Sequence, residues 1–309
     1  MRFGTHLELG RVSNLPTVWS NVLAASVLSG AALQTFAPLG LAIAGCSALY
    51  IGGMYLNDAC DADVDAVERP ERPIPSGRIS QRTVVLASIG WFAGGAALIG
   101  MASALSPHGG LAWSLATLAL LGCIVVYDLH HKHNRWGPVL MAACRALVYL
   151  VAGLALSGHV TTPLLVGAAL AFAWIAGLTA FAKQEGGANR TRWPWPLAVL
   201  ALPVLAALPA VSVAAVAAVT TAPSAWGQPA LILTLGLALA ILTGWARHRM
   251  RRRGPGDFPA AIGCLIAGVS LVDALAIART DHAAAPVMAM ACTACTVMTL
   301  LLQRRIAGT

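Results

Sequence analysis

Ten apolar stretches, most of 18 to 23 residues, run through this chain and constrain its fold more than any other feature. A helix of about 20 apolar residues matches the hydrocarbon thickness of a bilayer, and only helices or closed barrels satisfy their backbone there. The stretches fall at 14–33, 38–56, 83–105, 110–127, 136–156, 162–181, 195–217, 231–245, 260–277 and 284–302. Hydrophobic residues make up 58% of the chain and charged residues only 10%, too few charges to cover the surface of a soluble protein. The sequence therefore predicts an all-α, polytopic membrane bundle of nine to ten transmembrane helices. It forms a single domain over 1–309, with 284–302 as an extra carboxyl-terminal span. Arg2, Glu8 and Arg11 precede the first stretch and no small-residue cleavage site follows it, so it reads as a span that stays.

Lys and Arg set the orientation. They occupy the amino terminus, the loops after spans two, four, six and eight, and the carboxyl terminus; only Arg145 and Arg279 break the alternation. By the positive-inside rule the termini and all polar loops are cytoplasmic, which places the chain in the cytoplasmic (inner) membrane. The net charge of +8 is thus spread between apolar segments rather than gathered on one basic face, and nucleic acid is not a partner. Arg251 to Arg253 read as contacts to anionic membrane lipids. Most of the seven cysteines lie inside apolar runs and read as small hydrophobes, including the Cys292/Cys295 pair.

The chemistry is concentrated after span two. Of 12 acidic residues in the chain, four lie between Asn57 and Asp65. On a helix, Asp58, Asp61 and Asp65 share one narrow stripe with Asn57 at its edge, while Asp63 points away. Like charges at that spacing repel, so the stripe calls for a cation against it. All-oxygen ligands suit a hard divalent ion such as Mg²⁺, which bridges carboxylates to substrate phosphates; a solvated acidic loop is the plain alternative. The segment that follows carries Arg69, Arg72 and Arg78 among prolines, which exclude a regular helix. Asn21, one turn and more into span one, is costly in lipid and should face the bundle interior. Arg145 lies inside span five, where it either reaches an anionic ligand or pairs with Asp128 or Asp273. Asp273 itself reads as structural, and His130, His131 and His133 as interfacial polar groups. A single polar cap over an apolar bundle describes an enzyme or carrier whose substrate has a charged head and a greasy body.

Asn57-Asp58-x-x-Asp61-x-x-x-Asp65, followed by Arg69, Arg72-Pro73 and Pro75-Ser76-Gly77, resembles the UbiA-type membrane prenyltransferases. The likeness extends from Asn14–Asn21 through the Tyr127/Lys132 loop to span nine. The Tyr127 to Lys132 loop, the run around Cys144-Arg145 and Ala182 to Glu185 resemble the branch found in bacterial ebo gene clusters. The resemblance implies helices around a central cavity capped by cytoplasmic loops. It also implies Mg²⁺-assisted transfer of an isoprenyl group from a polyprenyl diphosphate to a small-molecule acceptor, which the sequence does not identify. Asn57, Asp58, Asp61 and Asp65 match the first metal motif, and Arg69 and Arg72 the basic residues after it. Tyr127 and Lys132 match a YxxxK element with one extra residue between them. Asn21, Arg145 and Lys183 join the expected diphosphate site. The second acidic motif, DxxxD, is represented by Glu185 and Asn189, one carboxylate where two are usual. That thinner half keeps a second reading open, a non-catalytic prenyl-diphosphate or lipid-binding protein assisting export of a small molecule.

Overall fold

The computed structural model describes residues 3–31, 36–130, 135–183, 195–209, 227–252 and 254–306. Among these every regular element is helical. A short amino-terminal helix α1 (Phe3–Leu9) and a 3₁₀ turn (Val12–Asn14) lead into α2 (Leu15–Leu28). Then come α3 (Phe36–Cys60), α4 (Ala62–Glu68), α5 (Gln81–Leu105), α6 (Ala112–His130), α7 (Gly137–Ser157) and α8 (Thr162–Ala182). The remainder are α9 (Trp195–Leu205), α10 (Gly227–Arg252), α11 (Asp257–Ala278) and α12 (Ala285–Leu302). Eight of these helices are long and apolar enough to cross a membrane. Consecutive long helices pack side by side, and α12 returns to α2 and α11, so the last apolar stretch is part of the bundle.

The first expected span is shorter than its apolar run. α2 holds 14 residues, of which 12 are buried, and it is wrapped by α3, α7, α8, α11 and α12. Its polar residues Thr17, Ser20, Asn21 and Ser26 therefore meet protein rather than lipid. α10 runs on past its apolar part to carry Arg249, Arg251 and Arg252 in its last turn. Only the first half of the seventh stretch is described, as α9; the rest, within 210–226, lies outside the described residues.

Small residues let the helices close on one another, the usual device where lipid removes the hydrophobic drive for association. A Cβ added to Gly45 of α3 would lie 2.9 Å from the carbonyl oxygen of Gly95 on α5, and the reverse substitution meets the same distance. Across the bundle, fully buried Trp174 of α8 donates its indole N–H to the Leu265 carbonyl of α11 at 2.8 Å, so its bulk is accommodated with no polar penalty. Leu115 and Leu118 of α6 and Leu86 and Ile89 of α5 stay exposed on the outer face, as a lipid-facing surface requires.

Candidate functional site

α3 runs straight into the acidic segment, and the helix lapses at one residue, Asp61 (φ −89°, ψ −3°), before α4 starts. The expected single helix is therefore two. Its row of side chains survives because Asp61 N–H donates to Asn57 O and Asp65 N–H to Asp61 O, each at 2.9 Å. Asn57, Asp58, Asp61 and Asp65 are all buried, each less than 9% exposed, whereas Asp63 is exposed. A solvated acidic loop would not look like this.

Buried carboxylates need positive partners, and two arginines supply them. Arg72 Nη1 donates to Asp65 Oδ2 at 2.8 Å and to Asp58 Oδ1 at 3.4 Å. Arg11 Nη2 donates to Asp58 Oδ1 and Asn57 Oδ1, both at 3.4 Å. Arg72 is positioned by a proline-rich turn that the sequence leaves no other course: Ser76 Oγ–H donates to the Arg72 carbonyl at 2.6 Å, and Gly77 takes φ +73°, a conformation that favours glycine. Arg78 then bridges that turn to α1, donating to the Glu71 carbonyl at 2.6 Å and to Glu8 Oε2 at 2.8 Å.

Arg11 was legible only as a charge on the amino terminus. It is the one described non-glycine residue with positive φ (41°). What fixes it there is α1, which packs on α3 through a small cluster of Leu9, Tyr55, Ala59, Ile79 and Val84, with His6 Nδ1 paired to the Tyr55 hydroxyl at 2.7 Å. A strained non-glycine backbone that a packed helix holds in place is a common mark of a functional position.

Of these groups Arg11, Asp58 and Arg72 line the mouth of a cavity of about 670 Å³, while Asn57, Asp61 and Asp65 are not among its lining residues. Arg11, Asp58, Arg69, Arg72, Tyr127 and Arg145 line its polar part, while Ile175 and Leu178 of α8 and Phe258, Ile262 and Ile266 of α11 line the apolar wall. Tyr50, Met54, Tyr127, Met141 and Arg145 are shared with a narrower pocket of about 80 Å³ that continues between α3, α6 and α7 past Leu49, Leu120 and Val148. Asn57 Nδ2–H donates to Asp128 Oδ1 at 3.2 Å and ties the acidic turn to the end of α6. Lys183 follows Thr179 and Ala182, which line the cavity, and closes α8. Partial desolvation lowers its pKa below the ordinary lysine value, so it sheds its charge sooner as pH rises.

Two residues expected at the diphosphate sit deeper. Arg145 Nη1 donates to Asn21 Oδ1 at 2.7 Å, and Asn21 Nδ2 donates to both oxygens of Asp273 at 2.9 and 2.7 Å. Arg145 thus lines the cavity, whereas Asn21 is occupied behind it. The Arg145–Asp273 pair anticipated as one option is made through an amide, not directly. Lys132, Glu185 and Asn189, with His131 and His133, lie outside the described residues.

Eight span-length helices among the described residues, packed around a polar-mouthed cavity, define an integral membrane protein. Residues 14–267 match the UbiA prenyltransferase family, and the chain belongs to that family. It is 30% identical over 275 residues to a digeranylgeranylglyceryl phosphate synthase of Methanopyrus kandleri, covering 77% of this chain and 96% of that protein. It is 32% identical over 225 residues to the bacteriochlorophyll synthase 33 kDa chain of Cereibacter sphaeroides, covering 66% and 67% respectively. Among solved structures, a UbiA homolog from Archaeoglobus fulgidus bound to GPP and Mg²⁺ superposes with a TM-score of 0.57 at 19% identity, covering 94% of this chain and 99% of that one. The fold is thus that of the family, and the chain is a membrane prenyltransferase.

Proposed function

We propose that this protein transfers an isoprenyl group from a polyprenyl diphosphate to a small-molecule acceptor, with its cavity mouth on the cytoplasmic side of the inner membrane. The observation that carries this reading is the union of four arginines and a buried acidic turn at the entrance to an apolar cavity. The structural neighbour bound to GPP and Mg²⁺ supports the donor class. The relatives named above carry two dissimilar product names, and the acceptor is left to experiment.

The donor set fits Mg²⁺. It is made of oxygens, and Arg72 Nη1 already touches Asp58 and Asp65 together, so one cation can answer both. Among the described residues no three His, Cys, Asp or Glu side chains gather closely enough to hold a metal ion by themselves. Mg²⁺ does not require one, since it is typically held by one or two carboxylates and completed by substrate phosphates. Asn57, Asp58, Asp61 and Asp65 would hold it, joined by Glu185 and Asn189 in the second motif. When bound, Mg²⁺ acts as a Lewis acid that neutralises charge on the departing diphosphate.

The remaining work falls to the chain's own groups. Arg11, Arg69, Arg72 and Arg145 present forked N–H donors that match diphosphate oxygens, and Lys132 and Lys183 add point charges. Those fixed donors stabilise the negative charge that grows on the leaving group. Tyr127 lines both the polar mouth and the narrower apolar pocket, and its hydroxyl orients the head. Ile175, Leu178, Phe258, Ile262 and Ile266 bind the prenyl chain and keep water from the electron-poor allylic carbon.

The test uses the purified protein in nanodiscs with radiolabelled geranylgeranyl diphosphate, Mg²⁺ and a lipid-extract acceptor mixture. The expected result is one inorganic diphosphate released per labelled, acid-stable product. Label that binds and is recovered unchanged over hours would instead mark a prenyl-diphosphate-binding protein.

A further inference from the structure

We propose that Asp273 is a positioning residue for Arg145, acting through the side-chain amide of Asn21. The inference rests on the reading of the cavity as the diphosphate site and adds to it the device that holds its deepest cation in place. Asp273, in the last third of α11, is fully buried, and no acidic motif of the sequence includes it. Its carboxylate accepts from Ser20 Oγ–H at 2.6 Å, from Asn21 Nδ2 at 2.9 and 2.7 Å, and from the Tyr149 hydroxyl. Ser270 Oγ packs on Ser20 Oγ at 2.8 Å and completes the shell. All four bonds can run toward the carboxylate at once, as an ionised, acceptor-only carboxylate requires.

The consequence runs outward through Asn21. An amide has one donor end and one acceptor end. With its Nδ2 committed to Asp273, Asn21 must turn its Oδ1 to Arg145, and that oxygen receives Nη1 at 2.7 Å. Reversing the amide would set a nitrogen against the guanidinium and an oxygen against the carboxylate, so the carboxylate dictates the amide's orientation. Arg145 also donates to the Thr17 carbonyl and to Thr17 Oγ1, at 3.4 Å each, and it lines both pockets. The long arginine side chain is thereby fixed to α2 from behind while its front remains available to an anion.

A relay of this kind differs from a simple structural clip in how its members combine. The experiment measures binding of geranylgeranyl diphosphate with Mg²⁺ to the full-length protein in nanodiscs, with thermal unfolding in parallel. Asp273→Asn, which keeps the shape and removes the acceptor-only character, should weaken binding about tenfold. Arg145→Gln should weaken it at least as much, and Asp273→Asn added to Arg145→Gln should cost less than twofold more, because the two act as one unit. Asn21→Ser should follow the same non-additive pattern. Should Asp273→Asn not fold, Tyr149→Phe removes one of the four bonds to the carboxylate and is expected to show the same loss of effect in the Arg145→Gln background. Additive effects of the Asp273 and Arg145 substitutions, or a lowered unfolding temperature with unchanged binding, would overturn the proposal while leaving the cavity reading intact. A wild-type protein that binds no prenyl diphosphate would overturn both.

Discussion

Arg72 meets Asp58 and Asp65 with a single nitrogen, and that contact holds two buried carboxylates within reach of one positive charge. Each charge-assisted bond of this kind contributes about 1.5–3 kcal/mol, and removing the cation leaves both acids buried and mutually repelling. Arg72→Met should therefore lower the unfolding temperature and reduce donor affinity about a hundredfold. Added Mg²⁺ should stabilise this variant more than the wild type, since a divalent ion can take the place of the guanidinium between the acids; a differential scanning measurement across Mg²⁺ concentrations checks it. Arg11 and Arg78 show what a sequence conceals at this scale. Both are isolated arginines beside acidic neighbours, yet Arg11 lines the cavity against Asp58 while Arg78 makes a half-exposed pair with Glu8. Exposed pairs contribute only about 0–1 kcal/mol, so Arg11→Gln should cost tenfold in donor affinity where Arg78→Gln changes it less than twofold. The acidic stripe was legible because its spacing exceeds what a solvated loop needs. Arg11 was not, because its role depends on α1 folding back over α3, a contact made by scattered residues such as His6 and Leu9.

At the scale of elements, apolar runs gave the helices and lost their ends. α3 runs four residues past its apolar limit because the buried mouth of the cavity, rather than the edge of the bilayer, ends it at Cys60. α2 stops short at Leu28, five residues before its apolar run ends, since a helix enclosed by others need not span the hydrocarbon. The glycines of the spans are not alike. Gly95 opposes Gly45 with no space for a side chain, while nothing lies within 4 Å of a Cβ added at neighbouring Gly94. Overpacking a tight helix contact costs about 1–3 kcal/mol. Gly95→Val should lower the unfolding temperature in detergent by several degrees and Gly94→Ala should leave it unchanged or raise it; equal effects at the two positions would contradict the packing described for α3 and α5.

For the whole molecule, the alternation of Lys and Arg between loops was the strongest guide. The start of α2, the ends of α3, α6 and α8 and the start of α11 do converge on one cavity mouth. What charge counting could not reach is how the far half of the bundle, through Asp273, Asn21 and Arg145, joins that mouth, because such a link forms only when α2, α7 and α11 pack. On the proposed orientation, Glu71→Cys in the basic turn should react with a membrane-impermeant maleimide only in inverted vesicles, and His108→Cys between α5 and α6 only in right-side-out ones. The reverse pattern would place the mouth on the other side. On the proposed function, a prenyl diphosphate seats its head between the acidic turn and the arginines with Mg²⁺ between them. A cryo-EM or crystal structure with a non-hydrolysable geranylgeranyl thiodiphosphate and Mg²⁺ tests it most directly. Metal density coordinated by Asp58 or Asp65 is expected, with diphosphate oxygens on Arg72 and Arg145 and the prenyl chain along Ile175, Leu178 and Ile262. A diphosphate found elsewhere, or metal density that avoids all of Asp58, Asp61 and Asp65, would contradict it.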